Sequence, residues 1–199
     1  MNEPRPGPPL RIAVLGDFDG VHTRRWLEVF VARGHEVHAI SFYDPREPLP
    51  GVTVHTLSAL RSHAAGSSAT ASTHSSRLRG LVPSGLMRIV HAWRYRRAGL
   101  RRVLDEIMPD VFHAHYVVEH GFYGSFAGFH PYVLSAWGSD LLVESRKPLG
   151  RLIARRTLSR ADFVTGNDAS LVVRAAELGV PRERTAVVHL GTEIGRAHV

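Results

Sequence analysis

A loop near the N-terminus has the residue types to hold a phosphate-bearing ligand. It reads Gly16-Asp17-Phe18-Asp19-Gly20-Val21-His22 and separates an apolar run from an amphipathic segment. Glycine lets the backbone approach a ligand, and the next helix offers unpaired N–H groups and its positive dipole end. The spacing is not that of a G-x-G-x-x-G dinucleotide loop. The loop is either a diphosphate-binding turn or a tight turn alone.

Three histidines form a second candidate group. His113 and His115 alternate on a predicted strand, so their rings lie on one face, and Glu119 and His120 follow closely. This arrangement is one way to begin a metal site, but no carboxylate with recognisable ligand spacing completes it. We expect no metal. Instead, His115 at the strand end is expected to hydrogen-bond a sugar or phosphate, with His113 packed in the core.

The third group follows another predicted strand, in Ser135-Ala136-Trp137-Gly138-Ser139-Asp140. Trp137 offers a ring face of the kind on which sugars stack, Gly138 permits close backbone approach, and Ser139 and Asp140 add polar groups. The alternative for Asp140 is that it only caps the next helical turn.

Alternating strand and helix patterns must position these groups. Apolar and β-branched runs predict strands at 11–15, 36–42, 52–57, 110–115, 132–136, 162–165 and 185–190. Helical periodicity predicts a helix ending near Gly34, one over 86–108 that stops at Pro109, and one over 168–178 capped by Asn167 or Asp168. The predicted fold is a doubly wound α/β domain with a mainly parallel sheet, which binds ligands at the carboxyl ends of its strands.

Composition limits the class of protein. A chain of 199 residues that is 44% apolar supports one good-sized domain, and the absence of cysteine excludes disulfides, thiolate zinc sites and a cysteine nucleophile. It also favours a reducing cytoplasm. Residues 1–10 are proline-rich, predicted to be disordered, and lack the apolar core of a signal peptide. Residues 61–85 predict a mobile surface loop.

The formal charge of +7 has several interpretations. Because Lys147 is the only lysine, an arginine-rich coding bias is one of them. An anionic membrane or a phosphate-bearing ligand is another, and nucleic acid is disfavoured because no recognition motif accompanies the charge. The helix over 86–108 carries Arg94, Arg96, Arg101 and Arg102, which either contact lipid or form a solvated face.

Five segments, in order and at family-like intervals, resemble the retaining GT-B glycosyltransferases often called family 4. They are Val21-His22-Thr23-Arg24-Arg25-Trp26, Arg33-Gly34-His35-Glu36-Val37-His38, Pro109-Asp110-Val111-Phe112-His113-Ala114-His115, Trp137-Gly138-Ser139-Asp140 and Arg160-Ala161-Asp162-Phe163-Val164-Thr165. Val187-Val188-His189-Leu190-Gly191-Thr192-Glu193 is similar to the stretch before the interdomain linker of that family. Many members have histidine where this chain has Trp137, so no histidine role is carried over there.

The resemblance implies the Rossmann-like N-terminal domain of a two-domain enzyme. Such an enzyme moves a sugar from a UDP-, GDP- or ADP-sugar to an acceptor with retention, without an obligatory metal or other cofactor. This half would hold a sugar, lipid-linked or small-molecule acceptor. By position, Gly16 and Gly20 would serve the diphosphate, and His22 and His115 would face the cleft. Trp137, Gly138, Ser139 and Asp140 would border the transferring sugar, with His115 and Asp140 as the candidate catalytic residues.

The resemblance also implies a missing half. In these enzymes a pair of glutamates eight positions apart belongs to the donor-binding domain, whereas Glu28 and Glu36 have that spacing in the wrong place. Residues 194–199 resemble a translated sequencing adapter. The expected organisation is therefore a domain over 11–193 followed by a cloning scar, without the donor domain and inactive on its own.

The first loop supports a competing prediction. Gly16-Asp17-Phe18-Asp19-Gly20-Val21-His22 is also similar to the G-x-F-D-G-x-H start of nucleotidylyltransferases such as the flavin adenylyltransferases. Their second histidine is absent, because Thr23, Arg24 and Arg25 follow His22. Adenylyl transfer is therefore the alternative activity, and a membrane-binding module is the non-enzymatic one.

Overall fold

The computed structural model describes residues 7–57 and 97–189. Their centre is a seven-stranded sheet in which every pairing is parallel, in the order β3-β2-β1-β4-β5-β6-β7. The strands are β1 Arg11–Leu15, β2 Glu36–Ser41, β3 Val52–Thr56, β4 Val111–His115, β5 Tyr132–Ala136, β6 Phe163–Gly166 and β7 Thr185–Val187. The chain builds outward from β1 to β3, and then from β4 in the other direction. This reversal leaves a crevice at the carboxyl ends of β1 and β4.

The helices in the described part connect these strands. They are α1 Val21–Ala32, α2 at 97–107, α3 His120–Gly124, α4 Ser139–Leu142, α5 Pro148–Leu158 and α6 Ala169–Glu177, with 3-10 turns at Glu144–Arg146 and Arg182–Arg184. Local chemistry sets their ends. Gly34, with φ of 80°, follows α1 in the left-handed region that favours glycine. The Asp168 carboxylate caps α6 by accepting the Ser170 N–H at 2.7 Å.

Both faces of the sheet are covered, because successive residues of a buried strand point to opposite sides. Ala13 and Leu15 of β1 belong to the larger apolar cluster, whereas Ile12 and Val14 belong to a smaller one with Leu27 of α1. The strands therefore hold their carboxyl ends rigidly.

The doubly wound α/β prediction is confirmed, and the sheet is wholly parallel. Strand bounds differ from the predicted ones by up to three residues, which is ordinary because strand ends are set by pairing partners that the sequence does not reveal. Thus β2 stops at Ser41, β6 extends through Gly166, and β7 ends at Val187.

Several predictions fall outside the described residues. They concern residues 1–6, the loop at 61–85, the first part of the helix over 86–108, and residues 190–199. Leu10, predicted to be disordered, accepts the Glu36 N–H at 2.9 Å and packs on the smaller cluster. Within the described ranges, no helix has the length and apolarity to cross a membrane.

Candidate functional site

A cavity of about 600 Å³ opens at the crevice predicted by the strand order. Its walls are the first loop (residues 16–20), the start of α1, the connection after β2 at residues 41–46, and residues after β4. Five of the eight residues assigned to the site from the sequence line it: Gly16, Gly20, His22, His115 and Trp137. Glu119 and His120 of the histidine group line it as well. Gly138, Ser139 and Asp140 do not line it and lie beside it in the chain after Trp137.

Gly16 allows three elements to meet at the base of the cavity. Its N–H donates to the Ile40 carbonyl at 3.2 Å, which fixes the end of β1 on β2. A Cβ built on Gly16 would lie 3.1 Å from the Thr23 Cγ2 of α1 and 3.6 Å from the His115 Nδ1 of β4. A side chain at this position would therefore press on the Thr23 methyl group of α1, whereas its contact with His115 would be an ordinary one.

Gly20 is the residue before α1 and has extended backbone geometry, with φ of −77° and ψ of 127°. It supplies no side-chain cap, and the first turn of α1 contains no acidic residue. The N–H groups and positive dipole end of this twelve-residue helix are thus not neutralised by a capping side chain. A Cβ on Gly20 would make only an ordinary 3.5 Å contact with the Asp17 carbonyl.

Arg24 fixes the loop that walls the cavity, and sequence reasoning did not identify it. Its Nε donates to the Phe18 carbonyl at 2.7 Å, while Nη2 and Nη1 donate to the Glu47 and Pro48 carbonyls at 2.9 and 3.1 Å. Arg46 also connects the two loops. Its backbone N–H donates to the Asp19 Oδ1 at 2.9 Å, and its Nε lies 3.3 Å from Oδ2. The first loop and the connection after β2 therefore form one braced unit.

His115 lies at the base of the cavity as a buried, neutral imidazole. Burial is the main cause that holds the pKa of His115 well below its ordinary value, and the charges of His113 and His120 act in the same direction. Its Nδ1 lies 3.4 Å from the Thr23 Oγ1, and its Nε2 has no hydrogen-bond partner among the described residues. Such a buried orphan nitrogen is uncommon and calls for a ligand or water as its partner.

Aromatic rings surround His115. The Trp137 ring centroid lies 5.2 Å from that of His115 and 5.3 Å from that of His22, so Trp137 bridges α1 and β4 across one side of the cavity. Trp26 approaches from α1, with its centroid 6.1 Å from His115. Trp137 thus presents a broad apolar ring to this side of the cavity.

His113 is a core residue, one of the two roles left open by the sequence. Its Nε2 lies 2.7 Å from the Ser135 Oγ, which in turn lies 2.6 Å from the Thr165 Oγ1. This buried chain links β4, β5 and β6. Burial lowers the pKa of His113 to about 3, so the ring is neutral at physiological pH. Among the described residues, no three histidine or acidic side chains are grouped as metal ligands.

Asp140 is fully buried and holds two loops together. Its carboxylate accepts four backbone N–H groups: those of Trp137 at 3.1 Å, Gly138 at 2.9 Å and Leu141 at 3.0 Å on Oδ1, and that of Val117 at 2.9 Å on Oδ2. These bonds occupy both oxygens and reach Val117 in another loop, so Asp140 does more than cap the next helical turn, whose N-cap residue is Gly138. A catalytic role for Asp140 stays a prediction, and it would require these bonds to break.

Tyr116 reinforces the same connection and was not identified from the sequence. Its φ of 68° is unusual for a bulky residue and is held at the end of β4, next to His115. The Tyr116 hydroxyl lies 3.1 Å from the Ser139 Oγ, and Tyr116 also lines the cavity. Ser139 does not line the cavity itself and contacts it only indirectly, by hydrogen-bonding Tyr116.

A doubly wound domain with a cavity at its switch point belongs to the class of open α/β folds that bind ligands at the carboxyl ends of their strands. Residues 20–191 match the family described as the glycosyl transferase 4-like domain, and the chain belongs to that family. No curated protein sequence matches the chain.

Solved structures share the fold. Anabaena Alr3699/HepE in complex with UDP is 16% identical, with a TM-score of 0.54 over 92% of this chain and 44% of that chain. The lipopolysaccharide outer core galactosyltransferase WaaB is 14% identical, with a TM-score of 0.56 over 93% and 47%. The UDP-GlcNAc 2-epimerase from Methanocaldococcus jannaschii is 11% identical, with a TM-score of 0.55 over 89% and 44%. This chain spans less than half the length of each.

Proposed function

We propose that this domain is the acceptor-side half of a retaining glycosyltransferase that uses a nucleotide-sugar donor. The observation that carries the proposal is the cavity at the switch point, framed by the first loop, the uncapped start of α1, His115 and Trp137. The fold alone does not distinguish a transferase from an epimerase, because both have it. Membership of the glycosyl transferase 4-like family is what supports sugar transfer. The lack of cysteine favours a cytoplasmic location.

The donor diphosphate is proposed to lie against Gly16, Gly20 and the first turn of α1. There the backbone can come close, and the N–H groups and dipole of α1 favour negative charge. His22, in the first turn of α1, lies on the same side of the cavity. Most of the donor contacts are proposed to come from a second domain, because this chain spans 44% of the similar Alr3699/HepE, whose structure is a complex with UDP.

The acceptor is proposed to occupy the space beneath Trp137, whose ring offers a stacking face for a sugar. Four carboxylates line the cavity, from Asp17, Asp19, Asp44 and Glu119. The one arginine among the lining residues, Arg46, is engaged by Asp19. This excess of negative charge favours a neutral or cationic acceptor over an anionic one, while the donor diphosphate in the same cavity is held against it by the N–H groups and dipole of α1.

His115 is the proposed catalytic residue. As a neutral imidazole it can donate or accept one hydrogen bond through Nε2, which suits a hydroxyl of the acceptor or an oxygen of the donor. It contributes orientation and electrostatic stabilisation, with no metal required. Asp140 is proposed to act as a positioning residue, because its hydrogen bonds fix the backbone on which Trp137 stands.

The test uses the complete open reading frame that contains this domain, and measures consumption of UDP-, GDP- and ADP-sugars with neutral, amino and acidic sugar acceptors. His115→Gln is expected to lower kcat at least tenfold, whereas His35→Gln, remote from the cavity, leaves kcat unchanged. Transfer by wild type that is indifferent to His115→Gln would overturn the assigned role. Failure to use any sugar nucleotide would overturn the proposed function.

A further inference from the structure

An exposed apolar group lies on the segment between β5 and β6, away from the residues that line the cavity. Val143 is 53% exposed, Leu149 is 69% exposed and Leu152 is 67% exposed. Leu149 and Leu152 stand three residues apart on α5, so they are neighbours on one face of that helix. Ala154, Thr157 and Leu158 are buried and form the opposite face. We name the exposed face, with Val143 beside it, the α5 surface.

Positive charge surrounds these apolar side chains. Between residues 143 and 160 there are six cations and one acidic residue, a net charge of +5. Glu144 is engaged by Lys147 at 3.0 Å, and the Arg156 guanidinium lies over the Phe126 ring at 4.5 Å. Arg146, Arg151 and Arg155 are exposed, and within the described ranges none of them forms an ion pair.

In the described part of the arginine-rich helix α2, by contrast, two of the arginines have acidic partners. On α2, Arg101 pairs with Asp105 at 2.9 Å and Arg102 pairs with Glu106 at 2.7 Å. Arg101 also donates to the Ala127 carbonyl at 2.8 Å. These two arginines, for which the sequence left open either a lipid contact or a solvated face, are thus matched by acidic neighbours, whereas Arg146, Arg151 and Arg155 of the α5 surface and its surroundings have no acidic partner among the described residues.

We propose that the α5 surface docks on an anionic lipid bilayer, with Leu149 and Leu152 entering the interface and Arg151 and Arg155 contacting lipid phosphates. A helix with apolar side chains flanked by arginines is the composition of an interfacial membrane helix. Anionic headgroups attract the cations, and the bilayer interior takes up the leucines that water solvates poorly. A nucleic acid would engage the arginines but would gain little from the leucines. The proposal is independent of the transferase activity.

The test is co-sedimentation of the 199-residue chain with vesicles of phosphatidylcholine containing 30% phosphatidylglycerol, beside pure phosphatidylcholine. The paired variants are Leu149→Ser with Leu152→Ser, and Arg151→Gln with Arg155→Gln. The controls are Arg101→Gln with Arg102→Gln, which removes an equal charge from α2, and Val173→Ser, which removes an exposed apolar residue from α6. All these positions are exposed, and circular dichroism checks that each variant is folded.

We expect wild type to bind the anionic vesicles, each α5 pair to weaken binding at least tenfold, and each control to change it less than twofold. Binding should also fall steeply with added salt. Absence of wild-type binding, or equal losses in the α2 control, would overturn the proposal. A loss with the arginine pair but not the leucine pair, accompanied by binding to a DNA duplex, would indicate a polyanion site instead and would also overturn it.

Discussion

Asp140 offers the sharpest test of how the site is held together. Replacing it with Asn keeps the size of the side chain but removes the charge and converts one oxygen into an NH₂ group. Three of the four bonded N–H groups, from Trp137, Gly138 and Leu141, converge on Oδ1, and the Val117 N–H meets Oδ2. In Asp140→Asn the amide oxygen can keep the Oδ1 set, so the Val117 N–H faces another donor.

The expected loss of stability follows from the number of backbone N–H groups that lose their acceptor. Loss of the charge-assisted bonds and one buried unpaired donor should reduce the free energy of unfolding by about 2–4 kcal/mol. Asp140→Ala orphans all four N–H groups and should cost more, about 3–5 kcal/mol, because water can reach only the half-buried Trp137 and Gly138. These are large fractions of the roughly 5–15 kcal/mol that stabilises a typical domain.

The assay is urea unfolding monitored by tryptophan fluorescence. Trp137 contributes to this signal from within the affected loop. Asp168→Asn is the matched control: its carboxylate also caps a backbone N–H, that of Ser170, but at the exposed start of α6. We expect the free energy of unfolding to decrease in the order wild type, Asp168→Asn, Asp140→Asn and Asp140→Ala. An Asp140→Asn variant as stable as Asp168→Asn would refute the inference that the Asp140 carboxylate holds the two loops together.

Three further predictions concern the cavity and the core. Gly16→Ala should lower the free energy of unfolding by about 1–3 kcal/mol and Gly20→Ala by less than about 0.5 kcal/mol, as measured by urea unfolding, because only the first Cβ meets close neighbours; equal losses would contradict the close approach. Since burial lowers the pKa of His113 to about 3, the unfolded chain takes up its proton first as pH falls. Stability should drop by about 2 kcal/mol from this residue between pH 7 and pH 5, and His113→Phe should show a shallower decline; an unchanged slope would count against a neutral buried ring. Arg24→Ala should speed amide hydrogen exchange across residues 42–51 at least tenfold relative to Arg33→Ala, and equal exchange would show that Arg24 does not brace this loop.

The fold was predictable because its elements are locally encoded. Apolar runs such as Arg11–Leu15 predict buried parallel strands, and Gly34 marks the end of α1 because only a residue tolerant of positive φ fits there. Since parallel strands place their carboxyl ends together, the loops after β1, β4 and β5 had to converge. Gly16, His115 and Trp137 could therefore be assigned to one cavity before the structure was known.

The rest depends on contacts between distant parts of the chain. Arg24 clamps the carbonyls of residues 18, 47 and 48, and backbone acceptors carry no sequence pattern. Tyr116 carries no sequence signal, because its positive φ angle and its contact with Ser139 are imposed by the tertiary structure. Asp140 was identified, but its partners include Val117, 23 residues away. A residue type that can bind a sugar can equally hold a loop, and burial decides between the two roles.

The proposed function places the acceptor site of a nucleotide-sugar glycosyltransferase in the cavity beneath Trp137. The most direct measurement is sugar transfer by the complete open reading frame, with Trp137→Ala beside Trp26→Phe, across UDP-, GDP- and ADP-sugars. We expect transfer by wild type, and a rise in acceptor KM of at least tenfold in Trp137→Ala without a matching change in donor KM. Adenylyl transfer from ATP with no use of any sugar nucleotide would contradict it.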